Sequence, residues 1–448
     1  MNHKVRDGFA SKFGVYAAAV GSAVGLGNIW RFPYVAGENG GGAFLIIYLA
    51  FVIVIGIPVV TSEFIIGRRG QSNSFGSFKK LAPGKPWYLV GLLGIVAAFI
   101  ILAFYGTVAG WTLEYVFLSI KNIFVSNTTD PEKVFVDFHT GIAAPVFWQI
   151  IFMIATAMII LAGVQKGIEK SSKILMPLLF LILIILSVKS ISLPNSSEGL
   201  KFLFNPDFSK INSTVILSAL GQAAFSLSIG MGALITYGSY VKKDVNLPKT
   251  AFLVSISDML IAVLAGVAIF PAVFSFGLSP GEGPGLVYIV LPGIFQQMSG
   301  GEFFALLFFI LLAIAALTSS ISLLEVIVAY ISEEFKIKRG IATIIATGMS
   351  TILGIFTTLS FSSLKNIKIF NKSIFDSCDF LATNILLPLG AFLIVIFLGW
   401  FFDKKQTRDE VTNGGTIKFR LFPVFIFIIK FVAPIAIFFV FLQGLGIF

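Results

Sequence analysis

A single cysteine, Cys378, stands in 448 residues, which excludes an internal disulfide. The two histidines, His3 and His139, fall in a tail and a loop, so neither a histidine proton relay nor a Cys/His metal cluster has residues to build on. No nucleophile–base pair stands out, and no enzyme is expected. Charge is scarce as well: 12% of residues are charged against 57% hydrophobic, with 49 phenylalanines. That balance excludes a soluble domain with a large core and fits an integral membrane protein. The net charge of +10 is spread over many short loops, which speaks for membrane topology and against a nucleic-acid partner. The polar start, Met1–Gly14, does not have the pattern of a cleavable signal peptide.

What the chain has is apolar length. At roughly 20 apolar residues per crossing, it predicts an all-α polytopic membrane protein of eleven spans, near 13–37, 43–67, 88–120, 146–164, 169–190, 213–240, 251–277, 302–332, 340–360, 376–402 and 421–446. Lys4, Arg6 and Lys12 precede the first span, and Arg68, Arg69, Lys79, Lys80 and Lys85 follow the second. Lys166, Lys170 and Lys173, then Lys242, Lys243 and Lys249, then Lys336, Lys338 and Arg339, then Lys404, Lys405, Arg408, Lys418 and Arg420 mark the other loops of the same side. Those loops and the N-terminus are expected in the cytoplasm, and the odd count puts the C-terminus outside. Of the opposite loops, 122–144 carries the sequon Asn127-Thr-Thr129 and 279–300 has a Gly/Pro-rich, lid-like composition.

The first span is interrupted. Gly21-Ser-Ala-Val-Gly-Leu-Gly-Asn28 runs into Ile29-Trp-Arg-Phe-Pro33, with three glycines, an asparagine, an arginine and a proline in thirteen residues. A spanning segment must satisfy its own backbone, and glycine and proline both weaken the helix that would do so. The expectation is a helix that stops near Val24–Gly25 and restarts near Asn28, leaving carbonyls for a cation and amides for an anion. Close packing at Gly21-xxx-Gly25 is the plainer alternative, but packing needs neither Asn28 nor Arg31. A second interruption, Gly221 to Gly232, falls in the sixth span. Two broken helices at matching places in two halves point to an inverted-repeat transporter with its site between them. The repeats would be 1–200 and 201–402, with 403–448 supplying a linker and an added span.

Sodium takes oxygen ligands. The eighth span supplies Ala315-Ala-Leu-Thr318-Ser319-Ser320, although hydroxyls in membrane helices also bond back to their own carbonyls. Asp258 in the seventh span is costly unless it meets a cation, water or a proton. Glu63 is read as a partner for unwound backbone; Glu325 is a further membrane acid with no derivable role.

Gly21–Pro33, Glu38-Asn-Gly-Gly-Gly-Ala-Phe44, Gly221–Tyr240 and Leu317-Thr-Ser-Ser-Ile321 resemble the neurotransmitter:sodium symporter family over nearly the whole chain. The chain is most similar to bacterial eleven-span members that carry tyrosine, tryptophan and other hydrophobic amino acids. The resemblance implies a leucine-transporter fold, the bacterial inner membrane, and sodium-coupled uptake of such amino acids, with a non-transporting receptor on the same fold as the alternative. Membrane lipid and the amino acid itself, as a small-molecule substrate, are the implied partners, and oligomerisation is left open.

The resemblance also implies ligands. One sodium would be held by the Ala23 carbonyl, the Asn28 amide, Ser226, Asp258 and the substrate carboxylate. A second would be held by the carbonyls of Gly21, Val24 and Ala315 with the hydroxyls of Thr318 and Ser319. The substrate carboxylate would meet the Leu26 and Gly27 amides and Tyr105, and the amino group the carbonyls of Ala23, Phe225 and Ser226. Ile101, Phe225, Ser228, Met231, Ser319 and Leu323 would line the side-chain pocket. Arg31 and Asp379 would close the outer gate above Tyr105 and Phe225. Arg6 and Glu333 would pair near Tyr240 at the inner gate, where Phe9 replaces the usual tryptophan. The nine residues between Gly167 and Pro177 would let the fifth span unwind and wet the inner sodium site; a plain proline kink is the competing account. Tyr48, Gln222 and Ser226 match a chloride site. Asp258, however, stands where many relatives have asparagine, and Ala262 lacks the carboxylate some carry there. Transport independent of chloride is therefore expected, with Asp258 as counter-charge.

Overall fold

The computed structural model describes residues 8–123, 130–280 and 285–447. Among these, helix is the only extended element apart from one isolated bridge between Ile369 and Lys372. Among the described residues, nine helices are long and apolar enough to cross a membrane, and a bent pair makes ten. The bent pair is α1 (Lys12–Ala23) and α2 (Gly27–Glu38), at 48°. Then come α3 (Gly42–Gly70), α4 (Tyr88–Ile120), α5 (Ala143–Leu161) and α6 (Val164–Ile191). The sixth span, expected to be interrupted, is two short helices, α7 (Ser213–Ser226) and α8 (Ala233–Gly238). After them follow α9 (Leu247–Ser275), α10 (Gly301–Glu334), α11 (Arg339–Leu359), α12 (Ile374–Phe401) and α13 (Phe422–Gly444). Eleven spans are reached only by counting both interrupted pairs as crossings.

Each interruption has a local cause. The last regular helical bond of α1 is from the Val24 amide to the Val20 carbonyl, 2.7 Å, after which Val24 turns extended. Gly25 follows with no room for a side chain, since a Cβ there would lie 2.2 Å from Ser319 Oγ and 2.8 Å from the Tyr105 hydroxyl. The second break falls within the expected stretch Gly221–Gly232: α7 runs unbroken through Gly221, and the chain leaves the helix at 227–232. There Ser228, Gly230 and Gly232 all take positive φ, at 56°, 88° and 73°. Gly230 is pressed between turns of α12, 2.5 Å from the Leu387 carbonyl at its would-be Cβ, so glycine is required on two counts.

α1 packs against α6, α9 and α10, and α4 runs along α10, α5 and α11. The breaks of α1–α2 and α7–α8 therefore face the middle of α4 and α10. In the described parts of the two outer connections, helices occupy Pro131–His139 and Leu286–Gln297; the sequon Asn127–Thr129 lies outside the described residues. On the basic side, helix Lys404–Thr412 is fastened to α3. Arg68, 3% exposed, donates to Glu410 Oε2 at 2.7 Å, to the Val245 carbonyl at 2.7 Å and to Asn413 Oδ1 at 3.0 Å.

Candidate functional site

Three buried polar side chains converge where the two breaks meet α9. Asn28 Nδ2 lies 2.7 Å from Asp258 Oδ1, 3.1 Å from the Asp258 carbonyl and 3.0 Å from Ser226 Oγ. Ser226 Oγ is 2.8 and 2.7 Å from the two Asp258 oxygens, and the Tyr48 hydroxyl donates to Asp258 Oδ2 at 3.2 Å. All four residues are 0–1% exposed. A buried carboxylate held by neutral donors is one fixed negative charge in a dry, oxygen-rich place, which suits a hard monovalent cation. Asn28 turns its Oδ1 to the Gly25 amide, 3.2 Å away, so serving as an oxygen ligand requires the carboxamide to rotate. Gln222, one turn before Ser226, donates to the Gly27 carbonyl at 2.7 Å and fixes the start of α2.

A second oxygen cluster lies between α1 and α10. Ser319 Oγ is 3.1 Å from the Val24 carbonyl and 3.4 Å from that of Ser22; Thr318 Oγ1 is 3.5 Å from Val24 O and 3.1 Å from Ala315 O. The Cβ position of Gly21 faces Thr318 at 3.4 Å, Met176 Sδ at 3.6 Å and Ser172 Oγ at 3.7 Å. This cluster thus borders the part of α6 between Gly167 and Pro177, which follows a wide, under-wound first turn at Val164–Glu169.

Between the two clusters is a cavity of about 30 Å³. Ala23, Gly27, Ile101, Tyr105, Phe225, Ser228, Met231, Ser319 and Leu323 line it, which brings together nine of the residues named for the substrate. Leu26 and Ser226 are not in its wall, although the Leu26 amide donates to the Tyr105 hydroxyl at 3.0 Å. Ser22, Gly25 and Ser322 were missed. Ser322 had a legible signal, lying one helical step beyond Ser319 on α10. Ser228 Oγ donates to the Ser22 carbonyl at 2.8 Å, joining one break to the other.

Phe225 is shared by this cavity and a larger one of about 390 Å³ that has Arg31, Tyr34, Glu38, Asn384 and Gln443 in its wall. The Arg31 guanidinium sits 4.3 Å from the Phe225 ring centroid, an attractive arrangement for a cation over an aromatic face. The expected ion pair is not formed: no Arg31–Asp379 contact lies within 4.0 Å. Arg31 faces the Phe225 ring and the Tyr34 hydroxyl instead.

On the basic side, Phe9 is 1% exposed and meets Tyr237 and Tyr240 edge-on at 5.7 and 6.1 Å. Its amide donates to the Tyr240 carbonyl at 3.2 Å. Arg6, named as the partner of Glu333, lies outside the described residues. Glu333 accepts from Ser72 Oγ, from the Asn73 amide and from Asn73 Nδ2, at 2.8–3.0 Å. Glu325 acquires a role here. It accepts from Tyr240 Oη at 2.6 Å and from both Arg339 terminal nitrogens at 2.9 and 2.5 Å. Glu169, also overlooked, receives the Ala10 amide at 2.7 Å, Ser11 Oγ at 2.8 Å and Lys173 Nζ at 2.6 Å, tying the start of α1 to α6. Glu63 accepts from the Gly230 amide at 2.8 Å, within the second break.

The sequence profile of the Sodium:neurotransmitter symporter family matches residues 6–130 and 132–448. An uncharacterized sodium-dependent transporter, YhdH of Bacillus subtilis (strain 168), is 40% identical over 441 residues, covering 98% of each chain. A further uncharacterized sodium-dependent transporter, of Haemophilus influenzae, is 39% identical over 457 residues and 99% of each chain. The crystal structure of MhsT in complex with L-phenylalanine superposes with a TM-score of 0.91 at 50% identity, over 98% of this chain and 100% of that one.

Proposed function

The chain belongs to the sodium:neurotransmitter symporter family and is a sodium-dependent membrane transporter, not an enzyme; on that premise we propose that it carries large hydrophobic or aromatic L-amino acids inward, with tyrosine or tryptophan favoured and leucine accepted. The observation that carries the reading is the placement of the Asn28–Ser226–Asp258 cluster and the Thr318–Ser319 cluster on either side of one small cavity. MhsT, similar over its full length, is a protein that binds L-phenylalanine.

In this reading the first sodium binds Asp258, Ser226, the rotated Asn28 oxygen, the Ala23 carbonyl and the substrate carboxylate. The second binds Thr318, Ser319 and the carbonyls of Gly21, Val24 and Ala315. The substrate carboxylate takes the Leu26 and Gly27 amides and the Tyr105 hydroxyl. A cavity of about 30 Å³ is water-sized, so entry of an aromatic side chain requires Phe225 and Met231 to give way. Met231 suits that task, being unbranched and adaptable. Arg31 over Phe225 closes the outer path, and Phe9, Tyr240, Glu325 and Arg339 close the inner one. Sodium favours the outward state because its ligands are drawn from both sides of the breaks, and its release inside frees the substrate. Chloride is not required, because the donors that would hold it are committed: Tyr48 and Ser226 to Asp258, and the Gln222 amide to Gly27.

Uptake of labelled tyrosine, tryptophan or leucine into proteoliposomes under an inward sodium gradient tests the reading. Accumulation that needs sodium supports it. Sodium-dependent binding without accumulation identifies a receptor instead.

A further inference from the structure

A groove on the membrane-facing surface is separate from the transport path. It has a volume of about 410 Å³ and lies between α4, α10 and α11. Val96 and Phe99 of α4, Ile327 and Tyr330 of α10, and Ile345 and Met349 of α11 form its sides, and Phe335 and Ile337 of the α10–α11 linker close its basic end. The Tyr330 hydroxyl is the single side-chain polar group of that wall. Phe335 and Met349 are 61% and 52% exposed. An apolar concavity of this size falls within the range of ligand sites, about 300–1,000 Å³.

The ends of the groove differ in chemistry. At the linker end, Tyr330 packs on Phe75 at 5.7 Å and on Phe335 at 5.8 Å, and Phe75 packs on Tyr88 at 5.3 Å. Such a girdle marks the level of lipid headgroups. Lys79 Nζ lies 5.6 Å from the Phe75 ring centroid. Lys336 and Lys338, in the linker itself, are exposed. The neighbouring acids are turned elsewhere: Glu333 and Glu334 both accept from Asn73. Cations at an aromatic girdle, with an apolar slot leading away from it, complement one kind of molecule. We propose that the groove binds a phospholipid of the leaflet on the lysine-rich side, with an acyl chain between α4, α10 and α11 and an anionic headgroup against Lys336, Lys338 and Lys79.

The linker leads directly into Arg339, which holds Glu325 and through it Tyr240. A bound lipid braces this linker, so lipid composition acts on the closed inner end of the transport path. This coupling rests on the gate reading above, whereas the lipid site does not.

Native mass spectrometry of the detergent-purified chain, titrated with dioleoylphosphatidylglycerol or dioleoylphosphatidylcholine at low ionic strength, tests the site. Phosphatidylglycerol should bind the parent more tightly than phosphatidylcholine. The double variant Lys336→Gln/Lys338→Gln should lose affinity for it by about fivefold per lysine, hence about 25-fold. Val96→Trp and Met349→Trp, each filling the slot, should lower occupancy by both lipids. Equal binding of the two lipids to the parent overturns the proposal, as does undiminished phosphatidylglycerol binding in the lysine variant or in both tryptophan variants. A tryptophan variant that changes oligomeric state while keeping its lipid assigns the groove to a second copy of the chain and overturns it equally.

Discussion

Removing Arg339 should be more harmful than removing its partner. Glu325 is 0% exposed, and among the described residues its carboxylate is met by two Arg339 nitrogens at 2.9 and 2.5 Å and the neutral Tyr240 hydroxyl at 2.6 Å. Arg339→Gln leaves that charge buried with the tyrosine alone, and stranding one member of a buried pair costs about 3–5 kcal/mol. Glu325→Gln leaves Arg339 one-quarter exposed, still facing the Ile160 carbonyl at 3.3–3.4 Å. Its loss is mainly that of hydrogen bonds to a charged group, about 1.5–3 kcal/mol. In the double variant no charge is stranded, so it should be more stable than Arg339→Gln by about 2 kcal/mol. The assay is denaturation of the purified transporter in one detergent for all four proteins, with solvent accessibility near Phe9 as a second readout, since Tyr240 loses its carboxylate partner in the two Glu325 variants. Losses that simply add, within about 0.5 kcal/mol, would show that the pair is not coupled and refute the reasoning.

Thr318→Ala and Ser319→Ala should each weaken apparent sodium affinity severalfold while leaving the order of amino-acid preference intact, measured by sodium titration of substrate binding; unchanged sodium dependence in both would mean that the second site lies elsewhere. Asp258→Asn should convert transport from chloride-independent to chloride-stimulated, because an anion can then replace the lost charge; uptake in sodium gluconate against sodium chloride decides, and an equal chloride requirement in parent and variant would refute the role of Asp258. In competition assays tyrosine, tryptophan or leucine should displace a labelled substrate better than alanine or glycine, and the reverse order would remove Met231 and Phe225 from the pocket wall.

The first break was legible because its cause is local: glycines, Asn28 and Pro33 sit within a few residues of where α1 ends at Ala23 and α2 begins at Gly27. The second was legible as the stretch Gly221–Gly232 but not to the residue: Gly221 stays helical, with no neighbour nearer than Val440, at 3.9 Å from its would-be Cβ, and the chain breaks at 227–232. The long apolar spans were placed to within a few residues, with α4 at Tyr88–Ile120 against an expected 88–120. What composition could not reveal is where basic residues turn inward. Arg68 and Arg339 read as topology markers, yet both are drawn into acids that come from elsewhere in the chain, Glu410 and Glu325. Glu325 had no role to derive because its partners lie on other segments, and one of them, Tyr240, follows the second break. Arg31 and Asp379 match a charge pair by sequence, but the guanidinium stacks on the Phe225 ring at 4.3 Å and makes no salt bridge to Asp379.

The short helix Lys404–Thr412 has a practical consequence. By position in the chain it belongs with α12 and α13, which flank it. By attachment it belongs with α3, through Arg68 to Glu410 and Asn413. A spin label or fluorophore on its outer face, at Lys405 or Asp409, both exposed, therefore reports the displacement of α3 and of the Val245 segment. Gly414 and Gly415, at φ 68° and 93° with open space around them, are the joint that lets this reporter move without dragging α13. A distance measured from there to α12 is a gauge of rocking between two bodies, although the two labelled sites are close neighbours along the chain.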